Sequence, residues 1–144
     1  MIRRATVLDI SALAIMLDTM HKETEIEVPK IDAMKLINKI NDLIHNGLVF
    51  VSVKDNKIQG SIGGQICSDW WSTEKYLGDA WFYVFKDQRK SNVAKNLIQA
   101  YINSAKDANM KVRLGHIFSG DIDRKDKFFK RLGLVKAGSI YVEA

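Results

Sequence analysis

The run Val84-Phe85-Lys86-Asp87-Gln88-Arg89-Lys90-Ser91-Asn92-Val93-Ala94-Lys95-Asn96-Leu97-Ile98 decides how the rest of the chain is read. Ala80 to Phe85, which feeds into it, is rich in aromatic and β-branched residues and predicts a strand; Asp87 to Lys90 predicts a polar turn. A helix then begins. Ser91 and Asn92 are N-cap residue types, and Val93, Ala94, Leu97, Ile98, Tyr101 and Ile102 form one apolar stripe at helical spacing. A strand that passes through a tight turn into a helix leaves backbone N–H groups unpaired at the helix start, with the positive end of the helix dipole behind them. Such a corner suits an anion, phosphate above all. The bland alternative is an ordinary strand-to-helix turn whose Arg89 and Lys90 are merely solvated.

Working outward, 144 residues at 47% hydrophobic composition predict one compact domain, residues 1–144, with a real core. No stretch is long and apolar enough to span a membrane, and no signal-peptide pattern opens the sequence, so a cytoplasmic location is expected. The single cysteine, Cys67, excludes an internal disulfide framework, and with only three histidines no metal site is assigned. Cys67 reads as a small buried side chain rather than a nucleophile, because no sequence neighbour is an obvious base. The net charge of +5 suits an anionic cofactor and permits nucleic acid. The positive residues are scattered among acidic ones, however, without the interleaved aromatics of a stacking platform, so nucleic acid is weakly supported.

In chain order, Ile2 to Thr6 predicts a short strand, and Asp9 an N-cap for a helix to about Met20 with Ile10, Leu13, Ala14 and Leu17 inward. His21 to Lys30 is polar and holds the only proline, Pro29. A second helix from near Asp32 points Met34, Ile37, Ile40 and Ile44 inward and closes at Gly47. Leu48 to Val53 is an apolar strand; Lys54-Asp55-Asn56-Lys57 turns it into a hairpin with Ile58 to Ser68. Gly60, Gly63 and Gly64 within that strand predict a bulge or the close approach of a ligand. After an irregular piece from Asp69 to Gly78 come the central strand and the long helix. Val112 to Phe118 predicts a strand, Asp123 or Arg124 to Leu132 a short helix, and Leu134 to Val142 a terminal hairpin turning at Gly138-Ser139.

Three motifs in this order carry a resemblance. Arg89-x-x-Asn92-x-Ala94, behind a strand ending Tyr83-Val84, is similar to the acyl-CoA pyrophosphate loop of the GNAT N-acetyltransferase superfamily, usually Arg/Gln-x-x-Gly-x-Gly/Ala; Asn92 replaces the first glycine. Ile2-Arg3-Arg4-Ala5-Thr6 with Asp9-Ile10 resembles the family's start, and Phe128-Phe129-Lys130-Arg131-Leu132-Gly133-Leu134 its late Phe-Tyr-x-x-Leu-Gly-Phe signature. Asp69-Trp70-Trp71-Ser72 and Gly138-Ser139-Ile140-Tyr141 look most like small GNAT proteins encoded by phages. The resemblance implies an α/β (α+β) GNAT fold of order β-α-α-β-β-β-α-β-α-β-β. Its sheet would be mixed, mostly antiparallel and of about six to seven strands, flanked by about four helices.

The resemblance also implies acetyl transfer from acetyl-CoA to a small-molecule or protein amine, without a covalent enzyme intermediate. Phe82, Tyr83 and Val84 would meet the pantetheine arm, and Arg89, Lys90, Ser91, Asn92, Val93, Ala94 and Lys95 the pyrophosphate, with Phe128 and Arg131 beside the cofactor. A backbone N–H near Val84 or Phe85 would stabilise the oxyanion, a contribution of roughly 10²–10³ in rate. Phe129 stands where the family commonly places a tyrosine that protonates the leaving thiolate; Tyr141 or Tyr83 are the substitutes. Base candidates are Asp79, His116 and the glutamates Glu23, Glu25 and Glu27, each with a structural reading beside it: a turn cap, a packed imidazole, a solvated acidic segment. Asn92 and Phe129 motivate an alternative, a catalytically weak domain that binds CoA or a partner, and the basic balance a modifier of host nucleic acid. A homodimer is an expectation from the superfamily.

Overall fold

Apolar runs and their turns assemble into a single sheet in the computed structural model, which describes residues 1–115 and 121–143. Its strands are β1 (Ile2–Arg4), β2 (Leu48–Lys54), β3 (Lys57–Ser68), β4 (Lys75–Val84) and β5 (Lys111–Arg113), in the order β1-β2-β3-β4-β5. All neighbours are antiparallel except β4 and β5, which are parallel. The β2–β3 hairpin turns on Asp55 (φ 53°) and Asn56 (φ 60°). Two consecutive left-handed residues are the turn whose twist matches that of the strands, and Asp and Asn tolerate it better than most.

Helices cover both faces. α1 (Ile10–Lys22) and α2 (Ala33–Asn46) pack Leu13, Met16, Leu17, Ile40 and Leu43 against Val49, Val51, Trp81 and Tyr83. α3 (Val93–Asp107) lays Leu97, Ile98 and Tyr101 on Phe50, Ile62, Leu77 and Val84, and α4 (Ile122–Arg131) adds Phe128 and Phe129 to that side. Strand alternation therefore splits β4: Trp81 and Tyr83 face α1 and α2, whereas Phe82 and Val84 face α3. No helix among the described residues is long and apolar enough to cross a membrane.

Several expectations are corrected. Among the described residues the sheet has five strands, not six to seven. Leu134–Val142 makes no strand: Val135, Ile140, Tyr141 and Val142 are exposed, and with no apolar face buried there is little to hold a hairpin together. Of the predicted strand from Val112 to Phe118, only its start is described, as β5; His116 and Phe118 lie outside the described residues. In α2, Ile40 and Leu43 are buried, whereas Met34 is 66% exposed and Ile37 also faces solvent. The helix rolls about its axis so that Leu43 replaces them, and spacing alone does not fix that roll.

Asp9 does not cap α1 with its side chain. It accepts the Thr6 amide at 2.8 Å, closing the turn before the helix, and takes both ends of the Arg3 guanidinium at 2.8 and 3.0 Å. This pairing outweighs partial burial and holds the Asp9 carboxyl below the ordinary carboxylate range. Cys67 is half-buried rather than buried. The close approaches at Gly63 and Gly64 come from the protein's own rings rather than from a ligand: a Cβ on Gly63 would lie 2.4 Å from the Trp81 indole, and one on Gly64 2.0 Å from Tyr101 Oη.

Candidate active site

The predicted bulge is present, and it sits where the sheet opens. Gly63 pairs with Trp81 but Gly64 with Asp79, so Ala80 is the extra residue on β4. β5 pairs with β4 only at Tyr76, Leu77 and Gly78. The next link on that side is a side chain, Asp79 Oδ1 accepting the Gly115 amide at 3.0 Å. Beyond it, no described strand pairs with the Asp79–Val84 edge. At 3.3 Å per residue this is about 20 Å of strand with no ladder partner on that side among the described residues, with the bulge at its inner end. The Phe85 amide, one of the two predicted oxyanion donors, is already spent on the Gln59 carbonyl at 3.0 Å.

At the outer end of the open edge the chain turns through Lys86–Gln88 into α3. Ser91 Oγ caps the Val93 amide at 3.3 Å, and the Asn96 amide returns to the Asn92 carbonyl at 2.9 Å. Between these two bonds, the Ala94 and Lys95 amides have no acceptor among the described residues. Asn92 makes no side-chain cap and has φ −85°, an ordinary conformation. Asparagine in place of the family's glycine thus costs no backbone strain here. Lys90, Ser91, Asn92 and Lys95 are exposed around the bare amides.

Arg89 points the other way. Its Nε donates to the Val84 carbonyl at 2.8 Å, its Nη2 to Glu23 Oε2 at 2.8 Å, and its guanidinium lies over the Tyr83 ring, 5.3 Å from the centroid. Tyr83 Oη donates to the other Glu23 oxygen at 2.7 Å. Partial burial pushes the Glu23 carboxyl up, but the bonds from Tyr83 and Arg89 outweigh it and leave the group below the ordinary range. Burial, and then the Glu23 hydrogen bond, raises the Tyr83 phenol to about 12. A phenol so committed is a poor proton donor to a departing thiolate.

The remaining predicted residues divide. Phe82 stacks on Phe128 and meets Phe129 at a tilt, each ring centroid 6.5 Å away, on the α3 side of the open edge. Arg131 is exposed at the end of α4, and Tyr141 is 92% exposed in the irregular tail. Asp79 stands at the inner end of the opening near Tyr101, whose buried hydroxyl has no hydrogen-bond partner among the described residues. Burial, with the Asp79 charge next, drives that phenol far above its ordinary range.

Two side chains take places that the sequence does not single out. Glu23 reads there as one of three glutamates, each a base candidate or part of a solvated segment, but its side chain is 15% exposed while Glu25 and Glu27 face solvent. The signal was the α1 stripe, since Met16, Met20 and Glu23 share one helix face. Lys125 of α4 lies close enough to Arg89 for the two charges to interact, although burial is the larger cause lowering its ammonium pKa. No comparable signal marked it.

A family model described as "Acetyltransferase (GNAT) family" matches residues 14–134. No curated protein sequence matches the chain. Among solved structures, a predicted acetyltransferase with acetyl-CoA from Clostridium acetobutylicum superposes with a TM-score of 0.79 at 19% identity, covering 100% of this chain and 94% of that one. AAC(6')-Iy in complex with the bisubstrate analog CoA-S-monomethyl-acetylneamine gives 0.79 at 13% identity, with 100% and 96% covered. A ribosomal-protein-alanine N-acetyltransferase from Brucella melitensis biovar Abortus 2308 gives 0.71 at 16% identity, with 100% and 99% covered. At such identities the likeness concerns the fold.

Proposed function

The chain belongs to the acetyltransferase (GNAT) family, and from that premise we propose how its own residues carry an acetyl group from acetyl-CoA to an amine. It is an N-acetyltransferase with acetyl-CoA as cosubstrate; what is proposed is the placement of both substrates and the class of acceptor. The observation that carries the placement is the open edge of β4 running directly into the bare amides of α3.

In this reading the pyrophosphate sits on the Ala94 and Lys95 amides, drawn there by the helix dipole and by exposed Lys90 and Lys95. The pantetheine arm runs along the open side of Phe82 to Val84 and pairs with Phe82, since the Val84 carbonyl is held by Arg89, and the Phe82, Phe128 and Phe129 rings line the α3 side of it. This holds the thioester alongside the Phe82–Val84 stretch. The acceptor amine, deprotonated, attacks the thioester carbon; the tetrahedral oxyanion is met by the Val84 amide, and collapse expels the CoA thiolate. Asp79, at the inner end of the opening and roughly 15 Å along the strand from Val84, is proposed to draw off the amine proton through bridging water, with His116, outside the described residues, the other candidate. With phenylalanine at 129 and Tyr83 bound to Glu23, the thiolate leaves without a dedicated acid, which a thiol pKa near 8.5 permits at reduced rate. Holding amine and thioester in contact supplies much of the remaining gain.

The acceptor enters from the α1–α2 side. There Ile26, Glu27, Val28 and Pro29 face Val142 and Glu143 across a pocket of about 560 Å³. Carboxylates on an apolar wall favour a cationic amine with some apolar body, whether a small molecule or a protein amino group. The relatives named above differ in acceptor, so the fold does not choose between these. A cytoplasmic location and a likeness to phage-encoded members belong to the same proposal.

Isothermal titration of acetyl-CoA into the wild-type chain and Ala94→Glu tests it. Binding by the wild type and loss of at least about 100-fold in the variant is expected, since a carboxylate would then face the pyrophosphate. Equal affinity would show that the phosphates lie elsewhere. A panel of amines, polyamines and peptides, assayed for free thiol release, then selects the acceptor.

A further inference from the structure

We infer that Glu23 is a positioning residue of the cofactor loop: acting through Arg89, it pins the turn between β4 and α3 so that the bare amides of Ala94 and Lys95 face outward. The inference rests on the cofactor placement proposed above.

Every donor and surface that Arg89 uses is directed inward. Nε serves the Val84 carbonyl, Nη2 serves Glu23, and the planar face covers Tyr83. Val84 O is an acceptor on the open edge, where a neighbouring strand would otherwise supply an N–H. Arg89 therefore closes the last carbonyl of β4 and turns the chain sharply toward α3. Gln88, one residue earlier, is tied to Gln59 of β3 at 2.8 Å, so two consecutive side chains hold the turn from opposite sides.

Glu23 supplies the fixed point. It lies 66 residues from Arg89, at the end of α1, and its carboxylate is oriented independently by Tyr83. Withdrawing the guanidinium to meet a phosphate would strand this largely buried carboxylate without its cation, a costly arrangement. The phosphates are instead left to amides, the helix dipole and lysines. Arg89 then contributes geometry, not charge, and Glu23 contributes through it.

The experiment measures the affinity of Glu23→Gln, Glu23→Asp, Arg89→Lys and the Glu23→Gln/Arg89→Lys double variant for acetyl-CoA by titration calorimetry. S-acetylpantetheine, which lacks the pyrophosphate, is the second probe, followed by NMR. Glu23→Gln keeps the size of the side chain and an acceptor for Tyr83, and is expected to weaken acetyl-CoA by roughly 5–10-fold while leaving S-acetylpantetheine unchanged. Glu23→Asp recovers part of the loss. Arg89→Lys keeps the charge but not the fork that spans Val84 and Glu23, so it matches Glu23→Gln, and the double variant is no worse than either single one.

Tighter or unchanged acetyl-CoA binding by Glu23→Gln overturns the inference, because a freed Arg89 would then be serving the phosphate. So does wild-type affinity in Arg89→Lys, additive losses in the double variant, or equal losses with both probes. Failure of the cofactor placement reads differently: it appears as wild-type affinity in Ala94→Glu, whatever the Glu23 variants do.

Discussion

From Tyr76 to Gly78, β4 is paired with a strand along both edges; from Asp79 to Val84 its only ladder among the described residues is on the β3 side. Each end carries an arginine, a carboxylate and a tyrosine of the strand. At the closed end, Arg113 grips Asp69 through two bonds of 2.8 and 2.6 Å and lies 3.8 Å from the Tyr76 ring centroid. At the open end, Arg89 holds Glu23 and covers Tyr83. The difference is what the arginine belongs to. Arg113 is part of a strand already paired by its backbone, so its ion pair fastens the irregular Asp69 segment to a finished sheet. Arg89 is on a loop, and one of its bonds goes to a strand carbonyl that has no ladder partner among the described residues. A similar trio thus reinforces one end of the sheet and substitutes for missing sheet at the other.

The largest expected effect falls where the two ends meet. Gly64→Val drives a side chain into Tyr101 at the bulge and should lower stability by about 3 kcal/mol in urea unfolding. Tyr101→Phe, which removes a buried hydroxyl with no hydrogen-bond partner among the described residues, should recover part of that loss. A Gly64→Val chain as stable as the wild type would mean that the bulge is not packed as described.

A second test separates the ends by pH. The folded state holds the Tyr83 proton more tightly than the unfolded chain does, its phenol standing near 12 against an ordinary 10. The resulting stabilisation, roughly 2 kcal/mol, is fully present below pH 10 and is lost as pH rises toward 12. Unfolding followed between those pH values should show the loss in the wild type and a flatter profile in Tyr83→Phe. The carboxylates run oppositely. Asp9 and Glu23 have lowered folded pKa values, so their contribution is present above the ordinary carboxylate range and disappears as pH falls through the folded values.

The smallest effect sharpens the contrast. Arg113→Ala opens an exposed ion pair on a strand already paired, so only a slight drop in melting temperature is expected, with no measurable change in acetyl-CoA affinity. If it weakened the cofactor as much as Arg89→Lys does, the two ends would be coupled and the distinction between them would fail.

Local chemistry made much of this fold legible. The β4-turn-α3 corner could be read from the aromatic strand, the cap residues and the 3.6-residue stripe, all properties of neighbours within one or two turns. The Asp55-Asn56 hairpin and the Asp32 cap of α2, whose carboxylate accepts the Lys35 amide at 3.0 Å, were equally local. The candidate site was legible only in part. Its anion corner is a helix terminus and shows in sequence, whereas its open edge rests on β5 pairing with β4 only as far as Gly78 among the described residues, a fact of the sheet.

The chain alone determined where strands pass into helices and which end of the longest helix offers free amides, because capping, turn geometry and periodicity are settled by residues a few positions apart. Tertiary packing decided the rest. It chose Glu23 over Glu25 and Glu27, rolled Leu43 inward in place of Met34, and turned Arg89 toward α1 instead of outward. Those choices depend on where one layer sits against another, and an ion pair spanning 66 residues has no periodic trace in sequence.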